Sequence, residues 1–268
     1  MFPLLCKTFP PNAEALRIAM EESLRRVLRP ATPMVTLEEK SYPQLATIRV
    51  SLDGADAGER SPPRPLRPVG RIEPVLWVEH FEMSGRPILV HRAKVELSCT
   101  AHDLQLGQSR DKEGNVLLIL QDAAEGRLEL AVGLSNLEAL VLAGAKMEAK
   151  KQGVTVESVQ IELRSRSDRA LDVVAWVRAT KLFLSATVQI SGSVAIDEQL
   201  NAQLFDLKCA GEGTLGTLAC GFIAPHLQRF NRREFSLMAL PLGNIKLRDI
   251  RIAAHGELRL TAEFGRPA

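Results

Sequence analysis

The residues with the clearest chemical pattern are three glycines at 211, 213 and 216, which form a G-x-G-x-x-G sequence. In a dinucleotide-binding fold, such glycines follow a buried parallel strand and open a helix, and an acidic residue lies about 20 positions further on. Glu234 stands at roughly that spacing. The neighbouring strand-like segments alternate apolar and polar residues, however, which is typical of half-exposed antiparallel sheet. We therefore interpret 211–216 as a place where small residues let a helix approach a sheet closely.

The histidines show no spacing that belongs to a known catalytic or metal site. The chain contains no H-E-x-x-H, no G-x-S-x-G elbow and no P-loop. His91 and His102, with Asp103 beside the second, are the candidates for a general base. Because they lack partners at a recognised spacing, we expect them to be structural. The sequence predicts a protein that is not an enzyme and that holds neither a metal nor a cofactor.

The four cysteines are scattered along the chain and include no C-x-x-C pair. Structural zinc sites use closely spaced ligand pairs, and small secreted scaffolds use many cysteines. We therefore expect unpaired thiols and a reducing compartment. The cysteines are Cys6, Cys99, Cys209 and Cys220.

Apolar residues at helical spacing predict three helices, at 11–29, 135–151 and 214–230. Asn12 is the expected N-cap of the first helix. In the second, Leu137, Leu140, Val141, Ala145 and Met147 are expected to face the core, and Gly153 to end the helix. Pro225 lies inside the third helix and should kink or shorten it.

Alternating apolar residues predict strands over much of the remaining chain. One alternation, at residues 154, 156, 159 and 161, slips by one position, and the same slip recurs at 245, 247, 250 and 252. A β-bulge would absorb such a slip, and the recurrence is either a duplicated helix-and-sheet unit or chance. The predicted strands are 48–52, 77–83, 88–97, 104–106, 116–120, 128–132, 171–177 and 182–190.

The segment 60–74 is rich in proline and arginine and is predicted to form a long loop, because proline cannot donate to a sheet ladder. Strand-like sequence on both sides places this loop inside a single domain that covers residues 1–268. Its arginines are either solvated or in contact with anionic lipid headgroups.

Composition excludes several classes of protein. The 268 residues carry a net charge of +2 with one Tyr and two Trp, which argues against a nucleic-acid binder. No segment approaches the roughly 20 apolar residues of a membrane span. Pro3, Lys7 and Pro10 interrupt the first residues, so no signal peptide is predicted. We expect a cytoplasmic protein that can contact a membrane peripherally, and the oligomeric state stays open.

The order of these segments resembles a bacterial family defined by an uncharacterised domain within the tubular lipid-binding (TULIP) superfamily. That family includes an actinobacterial protein of envelope lipoglycan elongation and cyanobacterial-type members, to which this chain is more similar. The resemblance implies a long, strongly twisted antiparallel sheet wrapped around amphipathic helices, a half-tube whose apolar interior takes acyl chains. The segments that carry it are HFEMSGRPILVHRAKVELSCTAHDLQLG (80–107), the helix 135–151, VTVESVQIEL (154–163), FIAPHLQRFNRREFSLMALPLGNIKLRDIRI (222–252) and ELRLTAEF (257–264).

The sequence and this resemblance together predict an α+β protein that binds or carries lipid or a fatty-acyl ligand. Two alternatives stay open: a scaffold with a filled core that acts through partners, and an enzyme on lipid or glycolipid. Arg229, Arg232 and Arg233 are the candidates for contact with anionic headgroups. The candidates for lining a lipid groove are Leu137, Leu140, Val141, Met147, Leu215, Leu218, Phe222 and Ile223.

Overall fold

The structure is a computed structural model that describes residues 1–29, 32–58, 68–151, 153–181, 184–231, 233–237 and 245–266. It is an α+β protein in which most strand pairs are antiparallel, as the sequence predicted. The elements are β1 (Phe2–Pro3), α1 (Ala13–Val27), β2 (Val35–Ser41), β3 (Gln44–Ser51), β4 (Val69–Val90), β5 (Ala93–Arg110), β6 (Val116–Asp122), β7 (Glu125–Gly133), α2 (Leu134–Lys150), β8 (Thr155–Ser167), β9 (Ala170–Lys181), β10 (Leu184–Ile196), β11 (Asn201–Gly211), α3 (Gly213–Phe230), β12 (Glu234–Ser236), β13 (Lys246–Ala254) and β14 (Glu257–Gly265).

The chain divides into two compact units. Unit 1 consists of Met1–Leu130, Leu240–Asp249 and Thr261–Ala268, and unit 2 of Ala131–Ala239 and Ile250–Leu260. A nine-stranded sheet has the order β13-β14-β7-β5-β4-β3-β2, with β6 paired to β5 and β1. A five-stranded sheet has the order β12-β11-β10-β9-β8 and is antiparallel throughout. The expectation of one lipid-binding domain over residues 1–268 stays a prediction.

All three helices form where the sequence predicted them. The Asn12 side chain caps α1, because its Oδ1 accepts a hydrogen bond from the Ala15 N–H at 2.8 Å. After α2, Gly153 adopts a left-handed φ of 65° that suits glycine. α3 continues past Pro225, so this proline does not shorten the helix. None of the helices in the described part of the chain is long and apolar enough to cross a membrane.

The longest strands, β4 and β5, form one hairpin, and the sequence did not predict its turn. The segment 88–97 was predicted as one strand, but the chain reverses at His91 and Arg92, so that Ile88 pairs with Val95. Both turn residues have positive φ, 48° and 69°. Two-residue hairpin turns with this backbone usually carry Asn or Gly, and neither is present here.

The proline- and arginine-rich segment is strand in part. Residues 59–67 lie outside the described residues, but 69–74 belong to β4, so the prediction of a loop there is wrong. Pro74 is opposite Gly107 of β5, and the parallel pairing of β4 with β3 begins only at Trp77. A proline can occupy a strand where its missing N–H faces no partner strand, and the pairing with β5 is irregular on both sides of it.

The slip in the alternation near residue 156 is a β-bulge, as predicted. The pairing of β8 with β9 shifts register between Val156 and Ser158. Because of this shift, Val156, Val159 and Ile161 are all buried on one face of the sheet. They form the core against which α2 packs.

The glycine motif brings a helix into backbone contact with a sheet, which confirms our interpretation. A Cβ built on Gly211 would lie 1.9 Å from the carbonyl carbon of Gly216, and one on Gly216 would lie 2.9 Å from the carbonyl oxygen of Thr187. β11 is antiparallel to both of its neighbours, β10 and β12. The motif therefore lacks the parallel βαβ setting of a dinucleotide site.

Replacing Gly211 with alanine is expected to destabilise the protein by 3 kcal/mol or more, about the upper end for overpacked cores, because the new methyl group meets backbone atoms that cannot move aside. Gly221→Ala in the same helix is the matched control. A Cβ at Gly221 meets nothing within 4 Å, and alanine favours a helix over glycine by about 1 kcal/mol. Chemical denaturation of both variants measures the difference. Equal stability would contradict the close contact.

Two of the four cysteines are joined, which corrects the expectation of unpaired thiols. Cys209 of β11 and Cys220 of α3 form a disulfide with Cα atoms 5.5 Å apart. They are 11 residues apart in sequence, and the turn into α3 brings them together. Cys6 and Cys99 are free. A disulfide removes the argument for a reducing compartment, and the cytoplasmic location stays a prediction.

Candidate functional site

An apolar cavity of about 260 Å³ lies within unit 1, between α1 and the nine-stranded sheet. Every residue that lines it is apolar or, in the case of Cys99, a thiol. α1 contributes Met20 and Leu24, which are one helical turn apart. Met1 also lines the cavity and is 46 % exposed, so the cavity reaches the surface there. The side chains of this lining offer a ligand hydrocarbon contact and carry no charge.

A buried carboxylate holds α1 in place over the cavity. Glu21 is 8 % exposed, and its Oε2 accepts hydrogen bonds from the Met34 and Val35 N–H groups at 2.8 and 3.0 Å. Its Oε1 accepts a hydrogen bond from Arg25 at 2.7 Å. A buried carboxylate is tolerated only when it is hydrogen-bonded in this way. Glu21 thus ties α1 to the start of β2 and fixes the side of the helix that faces the sheet.

The sheet beneath the helix changes face at Asp103. Val78 pairs with Leu104, and Phe81 pairs with Ala101, and all four residues line the cavity although the two pairs are three positions apart. Strict alternation would place positions three apart on opposite faces. Asp103 lies between them with a left-handed φ of 49°, a conformation that aspartate tolerates better than most residues. Asp103 thus shapes the backbone at the point where the sheet changes face.

The Cys99 thiol belongs to the apolar lining. Burial raises the pKa of Cys99 to about 11, so the thiol stays protonated and uncharged at neutral pH. A protonated, buried thiol behaves as a small hydrophobic group and is a poor nucleophile. It therefore adds to the apolar character of the cavity.

The size of the cavity limits its occupant. An engineered cavity of about 150 Å³ lined by aliphatic and aromatic side chains stays dry and binds benzene. The present cavity is less than twice that volume. It therefore suits a small hydrocarbon or one end of a longer acyl chain.

The predicted groove residues of α2 do not line this cavity. Leu137 packs against the core of Val156, Val159 and Ile161, while Val141 and Met147 are 39 % and 48 % exposed. The expectation that the last two face the core is wrong. The helix rests on the sheet along a stripe that includes the predicted Leu137 and Ala145, and Leu140 beside it is only half-buried. The stripe consists of Leu134, Leu137, Leu142, Ala145 and Ala149.

The predicted groove residues of α3 do not line the cavity either. Leu215 and Leu218 are 39 % and 58 % exposed, and Ile223 is half-buried. The Phe222 side chain lies outside the described part of the structure. The site that sequence reasoning missed is thus the one under α1. The only signal for it was the pair Met20 and Leu24, which also fits an ordinary filled core.

The two helices of unit 2 lie on the same face of the five-stranded sheet. Ile161, Ala175, Ile190 and Cys209 are directly opposite one another across β8 to β11, so their side chains share one face. α2 packs on this face at Ile161, and α3 is bonded to it at Cys209. A lipid groove between the helices stays a prediction.

The predicted headgroup residues lie at the end of α3. The guanidinium of Arg233 lies 5.1 Å from the centre of the Phe235 ring, a cation–π contact. Arg229 is exposed, and Arg232 lies outside the described residues. Phe230 and Phe235 are 44 % and 38 % exposed. Cations and exposed aromatic rings therefore occur together on this surface.

The candidate bases His91 and His102 are in different settings. His91 is in the β4–β5 turn, and His102 lies against His80 with ring centres 4.7 Å apart. Among the described residues, no group of three or more His, Cys, Asp or Glu side chains is arranged to hold a metal ion. No protein-family model, no curated protein and no solved structure matches this chain.

Proposed function

We propose that this protein binds the hydrocarbon part of a lipid or of another apolar ligand in the cavity beneath α1. The observation that carries the proposal is a cavity of about 260 Å³ whose lining side chains are all apolar or, at Cys99, a thiol. Tightly packed interiors rarely leave such a space, and a space without polar groups does not hold water well. The proposal contains no covalent step and assigns no catalytic residue.

The energetics favour reversible loading. Each methylene moved from water into the cavity contributes about 0.8 kcal/mol, so eight buried carbons would contribute roughly 6 kcal/mol. A chain that leaves a bilayer gains almost nothing, because it was already in hydrocarbon. Transfer of the chain between the membrane and the cavity is therefore nearly balanced, as a carrier or a sensor that exchanges ligand with a membrane requires. A TULIP-like half-tube, with the sheet curled around helices, is the architecture that we propose for this role.

Binding of a fatty-acid series to the purified chain tests the proposal. We expect probe displacement to improve about fourfold for each added methylene, until the cavity is filled, and then to level off. The levelling should come well before palmitate because the cavity holds only part of such a chain. Native mass spectrometry of the gently purified protein should show a bound apolar ligand. Failure of every chain length to displace the probe would contradict the proposal.

A scaffold that works through partners is the second candidate, because unit 2 exposes many large apolar side chains. Among them are Val141, Met147 and Leu218 on its two helices. Contact with an anionic membrane is one form of this role, and Arg229 and Arg233 beside Phe230 would supply it. Co-sedimentation with vesicles, with and without acidic lipid, tests that form. An enzyme acting on lipid is the third candidate, and turnover on a lipid panel would be needed to support it.

A further inference from the structure

Two histidines face each other on the side of the sheet away from the cavity. His80 of β4 pairs directly with His102 of β5. Their neighbours Phe81 and Ala101 line the cavity, so alternation along the strands directs the histidines to the opposite face. The two Nδ1 atoms are 3.4 Å apart, while the ring centres are 4.7 Å apart. Both nitrogens therefore turn towards each other.

We propose that His80 and His102 form a binding site for a zinc ion. Zinc binds imidazole nitrogen at about 2.0–2.1 Å in tetrahedral geometry, which places two ligand nitrogens about 3.3–3.4 Å apart. The observed Nδ1 separation matches that distance. In an octahedral site, two adjacent ligands lie at right angles, and the same bond lengths would place their nitrogens only about 2.9 Å apart. The spacing therefore favours a tetrahedral ion.

The surroundings leave room for the other two ligands to be water. A depression of about 300 Å³ beside His102 is lined in part by Glu125 and Glu263 and by the cations Arg127 and Arg248. The Glu82 carboxylate on the neighbouring pair is already bonded to Arg49, at 3.1 Å. Structural zinc sites use four protein ligands and catalytic sites use three, so we expect a site with only two protein ligands to be weak and exchangeable.

Zinc titration of the full chain, with a chromophoric chelator as competitor, tests the site. We expect His80→Ala and His102→Ala each to weaken zinc binding by at least about tenfold, since losing even an outer-sphere partner costs that much. His255→Ala is the control. His255 is exposed in the β13–β14 turn, and in the strand order β7 separates β14 from β5, the strand of His102. The free thiols Cys6 and Cys99 are present in every variant and cancel in the comparison.

Two further measurements test zinc binding by its effect on stability and separate it from lipid binding. Zinc should raise the melting temperature of the wild type and of His255→Ala, but not of the other two variants. All four proteins should bind the fatty-acid series equally, because the histidines lie on the other face of the sheet, so loss of zinc binding is separable from loss of lipid binding. Zinc affinity that is unchanged in both His80→Ala and His102→Ala would overturn the proposal. Absence of binding in the wild type would overturn it too, and would leave an imidazole pair joined by a hydrogen bond.

Discussion

Removal of the Cys209–Cys220 disulfide is expected to lower the free energy of unfolding of unit 2 by about 3 kcal/mol, the loss for a loop of this length. The local effect on α3 should be larger than on the other elements. Among the described residues of α3, only Gly216 and Cys220 are buried. The glycine contact and the disulfide are therefore the buried attachments of the helix to the sheet among its described residues. Without the bond, α3 should detach readily from β11.

The double variant Cys209→Ala/Cys220→Ala measures this effect. Its denaturation midpoint should fall, and limited proteolysis should cut within α3 faster than within α2. A dithiol reductant should reproduce both changes in the wild type and add nothing in the variant. Thiol titration of the unfolded wild type should give two thiols before reduction and four after it, since the other two cysteines are free. Four thiols before reduction would show that the bond is absent in solution.

The disulfide also shows where sequence reasoning stopped. Cys209 and Cys220 have no recognised spacing, although Cys220 lies within the predicted helix 214–230. Their contact depends on the angle at which α3 leaves β11. The close backbone approach at Gly211 and Gly216, which the sequence predicted, permits this contact. A local motif was therefore readable, while the long-range geometry that it produces was not.

Local sequence patterns were limited in the same way for the strands and for the cavity. Alternation found most strands, but it could not find the His91–Arg92 turn, because a positive φ at those residues leaves no mark in composition. Alternation also cannot distinguish a filled core from an open one. Met20 and Leu24 follow the pattern of any packed helix, and the cavity beside them results from side-chain volumes that do not fill the space.

The substitution Ala101→Leu is expected to leave the stability of the protein nearly unchanged and to weaken binding of a hydrocarbon ligand by about 50-fold. Three added carbon atoms would occupy space that three ligand methylenes otherwise fill, at about 0.8 kcal/mol each. Ala101 is 1 % exposed and lines the cavity. In the fatty-acid series, the chain length at which affinity levels off should become shorter by about three carbons.

Ala55 and Ala123 supply matched controls, because both are 1 % exposed and belong to the same core cluster as Ala101. Neither lines the cavity. Leucine at either position must enter a filled space, which typically costs 1–3 kcal/mol. We therefore expect Ala55→Leu and Ala123→Leu to lower the unfolding free energy while the folded protein keeps the original chain-length preference. If Ala101→Leu is as destabilising as these controls, the space beneath α1 is closed in solution. The scaffold function, with a filled core, would then replace lipid binding.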